Sequence, residues 1–218
     1  MKKIFKKIKN NKTLSILGVL IIGVFSVLIV RFTYSYYAAK YNNAQADIVI
    51  ESETTDDFKL SMGNPLKIDA TPTTLKENGT NIVSSTNASI KLKAGSANNS
   101  ATYNYYLYFE ILNNTFTYSS EQTPEIILTV TGPDGEVTNI EGFTYGTFSG
   151  ISGFDVTTTN GLFPIATTSI QSNSSTSYTT HDWTFTLTYL NLPIDQSGNI
   201  GKSIQVNLYL EKEARSTS

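Results

Sequence analysis

The chain has 218 residues, a net charge of -2 and no cysteine. Without thiols there is neither a disulfide framework nor a thiolate metal site, so a packed core has to supply the stability. The small net charge conceals a division: residues 1–46 carry eight Lys or Arg and no acid, while residues 47–218 carry eight bases against eighteen acids. An acidic body rich in Ser, Thr and Asn carries no electrostatic footprint for nucleic acid.

The head is basic first and apolar second. Lys2, Lys3, Lys6, Lys7, Lys9 and Lys12 precede an apolar run over residues 14–30. As a helix the run would span about 26 Å against a hydrocarbon core of roughly 30 Å, and Phe32, Tyr34, Tyr36 and Tyr37 can extend it. The order predicts a cytoplasmic start and an exported end. Two outcomes stay open. Thr33 and Ser35 are small residues at the -3 and -1 positions of a signal-peptidase site, so cleavage would make Tyr36 the new N-terminus. Retention would turn the same aromatics into an interfacial belt, and the charge of Arg31 beside the site opposes easy cleavage. The expected location is therefore the cell membrane, single-pass with the body outside, or the cell surface and medium after cleavage. An exported chain without cysteine suits a Gram-positive cell.

After residue 46 the apolar residues recur with a period of two. Residues 47–51, 58–62 and 66–70 are short strand candidates, residues 71–89 a long polar loop, and Ile90 begins another strand. The clearest strand covers residues 101–112, with Tyr103, Tyr105, Leu107, Phe109 and Ile111 on one face. A strand over residues 125–131 ends in Gly132-Pro133-Asp134-Gly135, a hairpin turn resting on proline's fixed φ and glycine's freedom. Residues 142–161 are glycine-spaced and predict strands with wide loops. Trp183, Phe185, Leu187 and Tyr189 alternate with threonines, and Ile204, Val206, Leu208 and Leu210 alternate with polar residues, giving two half-buried strands.

This pattern predicts an all-β fold: a two-sheet antiparallel sandwich, jelly-roll or Ig-like, of nine to eleven strands, preceded by one N-terminal transmembrane or signal helix. The domain plan is a basic n-region over 1–13, the signal or transmembrane helix over 14–37, a linker over 38–46, the ectodomain over 47–212 and a disordered tail over 213–218.

Thr33-Tyr34-Ser35-Tyr36-Tyr37 after a lysine-rich and apolar leader, with a first strand about ten residues on, resembles the exported TasA/camelysin-like proteins of Gram-positive bacteria. The closing stretch, residues 183–190 with Asn191-Leu192 and Asp195-Gln196-Ser197-Gly198-Asn199, looks like a recurrent closing hairpin of small exported proteins of Gram-positive bacteria. The resemblance implies a surface or biofilm-matrix protein processed by a signal peptidase, with fibre formation by a donor strand drawn from residues 36–51. Ser35 stands where those proteins carry Ala.

Enzymatic chemistry finds little to use. His181 is the single histidine, beside Asp182, and no Gly-x-Ser-x-Gly elbow accompanies it. Asp195-Gln196-Ser197-Gly198-Asn199 places oxygen side chains as a hard-cation loop would begin, yet lacks the later bidentate Glu; an Asp/Gly turn is the simpler reading. No catalytic residue, metal ligand or cofactor is expected, and the protein is read as not an enzyme. Tyr106 and Tyr108, with Tyr118 and Tyr209 nearby in type, are candidate surface or assembly aromatics. The expected partners are the membrane through the N-terminal helix, signal peptidase, and further copies or a cell-surface polymer. The functional expectation is an exported structural protein that self-assembles through its N-terminal strand. The alternative is a carbohydrate- or host-binding adhesin module.

Overall fold

The computed structural model describes residues 48–51 as backbone, and residues 56–76, 79–97 and 100–215 in full. The apolar leader and Thr33, Ser35 and Tyr36 lie outside the described residues. Among the described residues no helix is long and apolar enough to cross a membrane.

Among the described residues twelve strands follow in order: β1 (Ile48–Glu51), β2 (Asp57–Met62), β3 (Leu66–Asp69), β4 (Ile82–Lys93), β5 (Ala101–Leu112), β6 (Ile126–Gly132), β7 (Gly135–Glu136), β8 (Tyr145–Phe148), β9 (Ile151–Asp155), β10 (Gly161–Ser172), β11 (Thr179–Tyr189) and β12 (Ser203–Glu211). They form two antiparallel sheets. The larger runs β1-β2-β4-β11-β6-β9-β8 with β7 beside β6, and the smaller runs β10-β5-β12-β3. The only helical element among the described residues is one 3-10 turn, Ser197–Asn199.

The alternation read in the sequence faces inward as expected. Tyr105, Leu107, Phe109 and Ile111 of β5, Phe185, Leu187 and Tyr189 of β11, and Ile204 and Val206 of β12 are at most 1% exposed and share one core. Each strand presents a row of apolar side chains to the facing sheet, and that burial supplies the stability the missing disulfides cannot. Trp183 packs against Gly132, where an added Cβ would fall 2.7 Å from the indole ring. The hairpin joining β6 to β7 turns through Pro133-Asp134, with Gly135 at φ 110°.

Two strands correct the sequence reading. Strand β4 begins at Ile82, inside the segment expected to be a loop as far as residue 89. Its polar residues alternate in register with β11, from Ile82 opposite Tyr189 to Leu92 opposite Thr179. Cross-strand pairs such as Ser89 with Asp182 and Asn87 with Thr184 cover the outer face. Two flanking strands fix the backbone, and that context outweighs the low strand propensity of Ser and Asn. Strand β10 is not among the strands expected from the sequence, and it carries Pro164 ahead of a Thr/Ser-rich run. The proline sits at a register shift on the edge of the smaller sheet, one of the few places where a strand tolerates it.

The connections β3–β4, β5–β6, β9–β10 and β11–β12 all lie at one end of the sandwich. Those between β4 and β5 and between β10 and β11 lie at the other, beside the start of β2 and the end of β12. The expected tail is placed as far as Arg215, which docks on the smaller sheet.

Candidate functional site

The first end is organised around Glu125, wholly buried at the entry to β6 and without an ion-pair partner among the described residues. Its two carboxyl oxygens accept from the Ser119 N–H at 2.5 Å, the Ser119 hydroxyl at 3.2 Å, the Tyr189 hydroxyl at 2.6 Å, Gln196 Nε2 at 2.8 Å and Asn199 Nδ2 at 3.0 Å. The 3-10 turn brings Gln196 and Asn199, three residues apart, onto one side of the chain. Gln196 also donates to the Leu190 carbonyl and accepts from Leu192 N–H; Asn199 donates to the Thr117 carbonyl and accepts from Thr117 N–H and from Lys202 Nζ. Burial, and next the Glu125 carboxyl, push the Tyr189 phenol far above its ordinary range.

Two further asparagines extend the network. Asn114 donates to the carbonyls of Val156, Thr157 and Thr159, and Asn191 to those of Thr74 and Thr80. Side-chain amides thus satisfy the loop backbone that a closed end would otherwise leave unpaired. No buried side-chain nitrogen or oxygen among the described residues lacks a partner. A carboxyl group this fully occupied has no oxygen free for a substrate, so the constellation is a clasp. The oxygen-rich stretch considered for a cation turns inward: Gln196 and Asn199 bind Glu125, and Asp195 caps the Ser197 N–H at 2.9 Å; the Ser197 hydroxyl, and next this N–H, hold its carboxyl below the usual range. No group of three or more His, Asp or Glu able to hold a metal occurs among the described residues.

His181 and Asp182 face opposite sides of β11, as neighbours on a strand must. His181 Nδ1 lies 3.0 Å from the Tyr105 hydroxyl, which also accepts from Trp183 Nε1 at 3.1 Å; Asp182 accepts from Ser89 at 2.6 Å on the outer face. The pairing a hydrolytic triad needs is not assembled.

The second end and the adjoining outer face carry exposed aromatics and charges. Tyr178 donates to Asp57, with Lys59 and Lys93 over its ring at 5.0 and 5.2 Å. Lys212 lies 4.9 Å over Tyr103, which stacks on Phe58. Of the candidate aromatics, Tyr108 is 8% exposed beneath Arg215, Tyr106 is half-buried on the same outer face, and Tyr118 is elsewhere, donating to Asp155. Tyr209 joins Tyr108 as its cross-strand partner. Burial, then the Glu110 carboxyl it donates to, raises the Tyr209 phenol.

A groove of about 730 Å³ opens on the larger sheet, lined by Ser61, Asn87, Ser89, Asp182 and Thr184 together with Met62 and Trp183. Sequence reasoning missed both this groove and the Glu125 clasp. The spacing of Gln196 and Asn199 was the one local signal for the clasp. Neither the known protein families, nor characterised proteins, nor solved structures give a match to this chain.

Proposed function

We propose that the protein is an exported structural component of the cell surface or extracellular matrix that assembles through its N-terminal strand. The observation that carries this reading is the position of β1: among the described residues it is the first strand and the edge of the larger sheet, bonded to β2 alone. An edge strand presents a row of unpaired backbone groups, and a strand from a second copy can complete it. The leader supplies export and either a tether or, after cleavage at Ser35, a free segment from Tyr36. Repeated switching between sheets, with β3, β5, β10 and β12 in one and β4, β6, β9 and β11 in the other, favours a jelly-roll over an Ig-like sandwich. N-terminal sequencing of the exported form, with its sedimentation profile, tests the reading: a start at Tyr36 and species heavier than the monomer are expected, and a monomer at every concentration would count against it.

The groove supports a second reading, an adhesin that binds a surface polysaccharide. Hydroxyl, amide and carboxyl groups line it without a cation, a set suited to sugar hydroxyls. Under this reading, glycan-array binding is lost in Asp182→Ala; no binding by the unaltered protein to any glycan removes it.

A further inference from the structure

The outer face of the smaller sheet is where the fold meets its own C-terminal segment. Strand β12 ends at Glu211, and the chain doubles back so that Arg215 lies over Tyr209 and Tyr108, directly opposed residues of β12 and β5. The guanidinium carbon is 4.1 Å from the Tyr209 ring centre and 5.6 Å from that of Tyr108. Arg215 Nε and Nη2 are each 2.8 Å from Glu211 Oε1, and the Arg215 N–H donates to the Tyr108 hydroxyl at 3.1 Å. A second carboxyl, that of Glu110, accepts from the Tyr209 hydroxyl at 2.5 Å at the far edge of the same ring.

These parts suit one kind of side chain. Ring faces attract a flat cation through their quadrupole, and a carboxyl at its edge takes the guanidinium N–H groups; a lysine ammonium would use the same seat less fully. Beyond β12 the segment is held by Arg215 and, next to the strand, by the Lys212 ammonium over Tyr103. Lys212, Glu213 and Ala214 are exposed between it and the strand, so no apolar burial locks the segment in place.

We propose that the Tyr108–Tyr209 face is a docking site for an arginine-bearing segment, and that in an assembly the occupant is the C-terminal segment of a second copy, exchanged for the chain's own. A short flexible tether holds its end at an effective concentration on the order of millimolar. Copies packed to a similar density compete on equal terms, because the exchange replaces Arg215 by an identical Arg215 and leaves Tyr108, Tyr209 and Glu110 where they are. The acidic body, with eighteen acids to eight bases after residue 46, favours a cationic group at this surface. The choice of occupant rests on the assembly reading, whereas the receptor itself depends on neither the leader nor β1.

The test uses the full-length chain in detergent and a fluorescent peptide of sequence Lys-Glu-Ala-Arg-Ser-Thr-Ser, followed by anisotropy. Arg215→Ala empties the seat and is expected to bind the peptide about three- to fivefold more tightly than the unaltered chain, whose seat is filled at the tether's effective concentration. Replacing the peptide's arginine by neutral citrulline should abolish binding. Adding Tyr209→Leu to Arg215→Ala should abolish it too, with Trp183 fluorescence reporting that the core is intact. Equal binding of the arginine and citrulline peptides, or none to Arg215→Ala, would overturn the receptor. Arg215→Ala chains should also co-sediment with tail-bearing chains; peptide binding without co-sedimentation would overturn the second copy as occupant. Deleting residues 36–46 should leave peptide binding unchanged, so this proposal and the N-terminal assembly reading fail separately.

Discussion

At one end of the sandwich Glu125, Gln196 and Asn199 are buried and linked to one another and to Tyr189, while at the other Asp57, Lys59, Lys93 and Tyr178 make their contacts at the surface. Both ends are polar. The difference lies in what each polar group would meet if a partner were removed. In the clasp a lost acceptor strands donors away from water, which costs about 1–3 kcal/mol for each group left unpaired. At the other end water replaces the partner, and an exposed ion pair or cation–π contact contributes at most about 1 kcal/mol. The first end is therefore built to stay shut, and the second is the one whose contacts can be exchanged.

The largest expected effect tests the clasp. Glu125→Ala removes the acceptor shared by Ser119, Tyr189, Gln196 and Asn199 and should lower the unfolding free energy in urea by about 3 kcal/mol or more. A loss under about 1 kcal/mol would mean that water enters this end and the contrast fails. Asn199→Ala should cost about 2 kcal/mol, because the Thr117 carbonyl and N–H lose their partner while Glu125 keeps three others.

The next effect is a pH dependence. Tyr189 is held neutral by burial and by Glu125, so its folded pKa lies above the unfolded value of 10.0. Its contribution is complete below pH 10.0 and diminishes progressively above it, since the unfolded chain ionises first. Denaturation midpoints should fall above that pH, and Tyr189→Phe should flatten the decline while lowering stability at neutral pH. An unchanged slope in Tyr189→Phe would show that other groups govern alkaline unfolding. The smallest effect belongs to the exposed side: Arg215→Ala should change stability by less than about 1 kcal/mol, which would leave its consequences to recognition.

How much of this was legible in the sequence follows the same contrast between local and distant pairing. Strands β5, β11 and β12 declared themselves because Tyr103, Trp183 and Ile204 begin the alternations that one buried face requires. The turn before Gly135 was legible because proline and glycine act on their own backbone. Strand β4 was misread, since Ser84, Ser85 and Asn87 become strand residues only when β11 lies beside them. The clasp was hidden for the same reason: Glu125 meets Tyr189, Gln196 and Asn199 from more than sixty positions away. An Asp-Gln-Ser-Gly-Asn stretch reads as a surface turn until a buried carboxyl draws two of its amides inward. Tyr108 looked like an open platform because no local signal places Arg215 above it.

Sedimentation velocity of the chain, compared with the same chain lacking residues 36–46, tests the central proposal that assembly proceeds through the N-terminal strand. The expected result is a concentration-dependent series of heavier species for the intact chain and a single monomer boundary for the shortened one. Identical profiles for the two, whether both assembled or both monomeric, would contradict it.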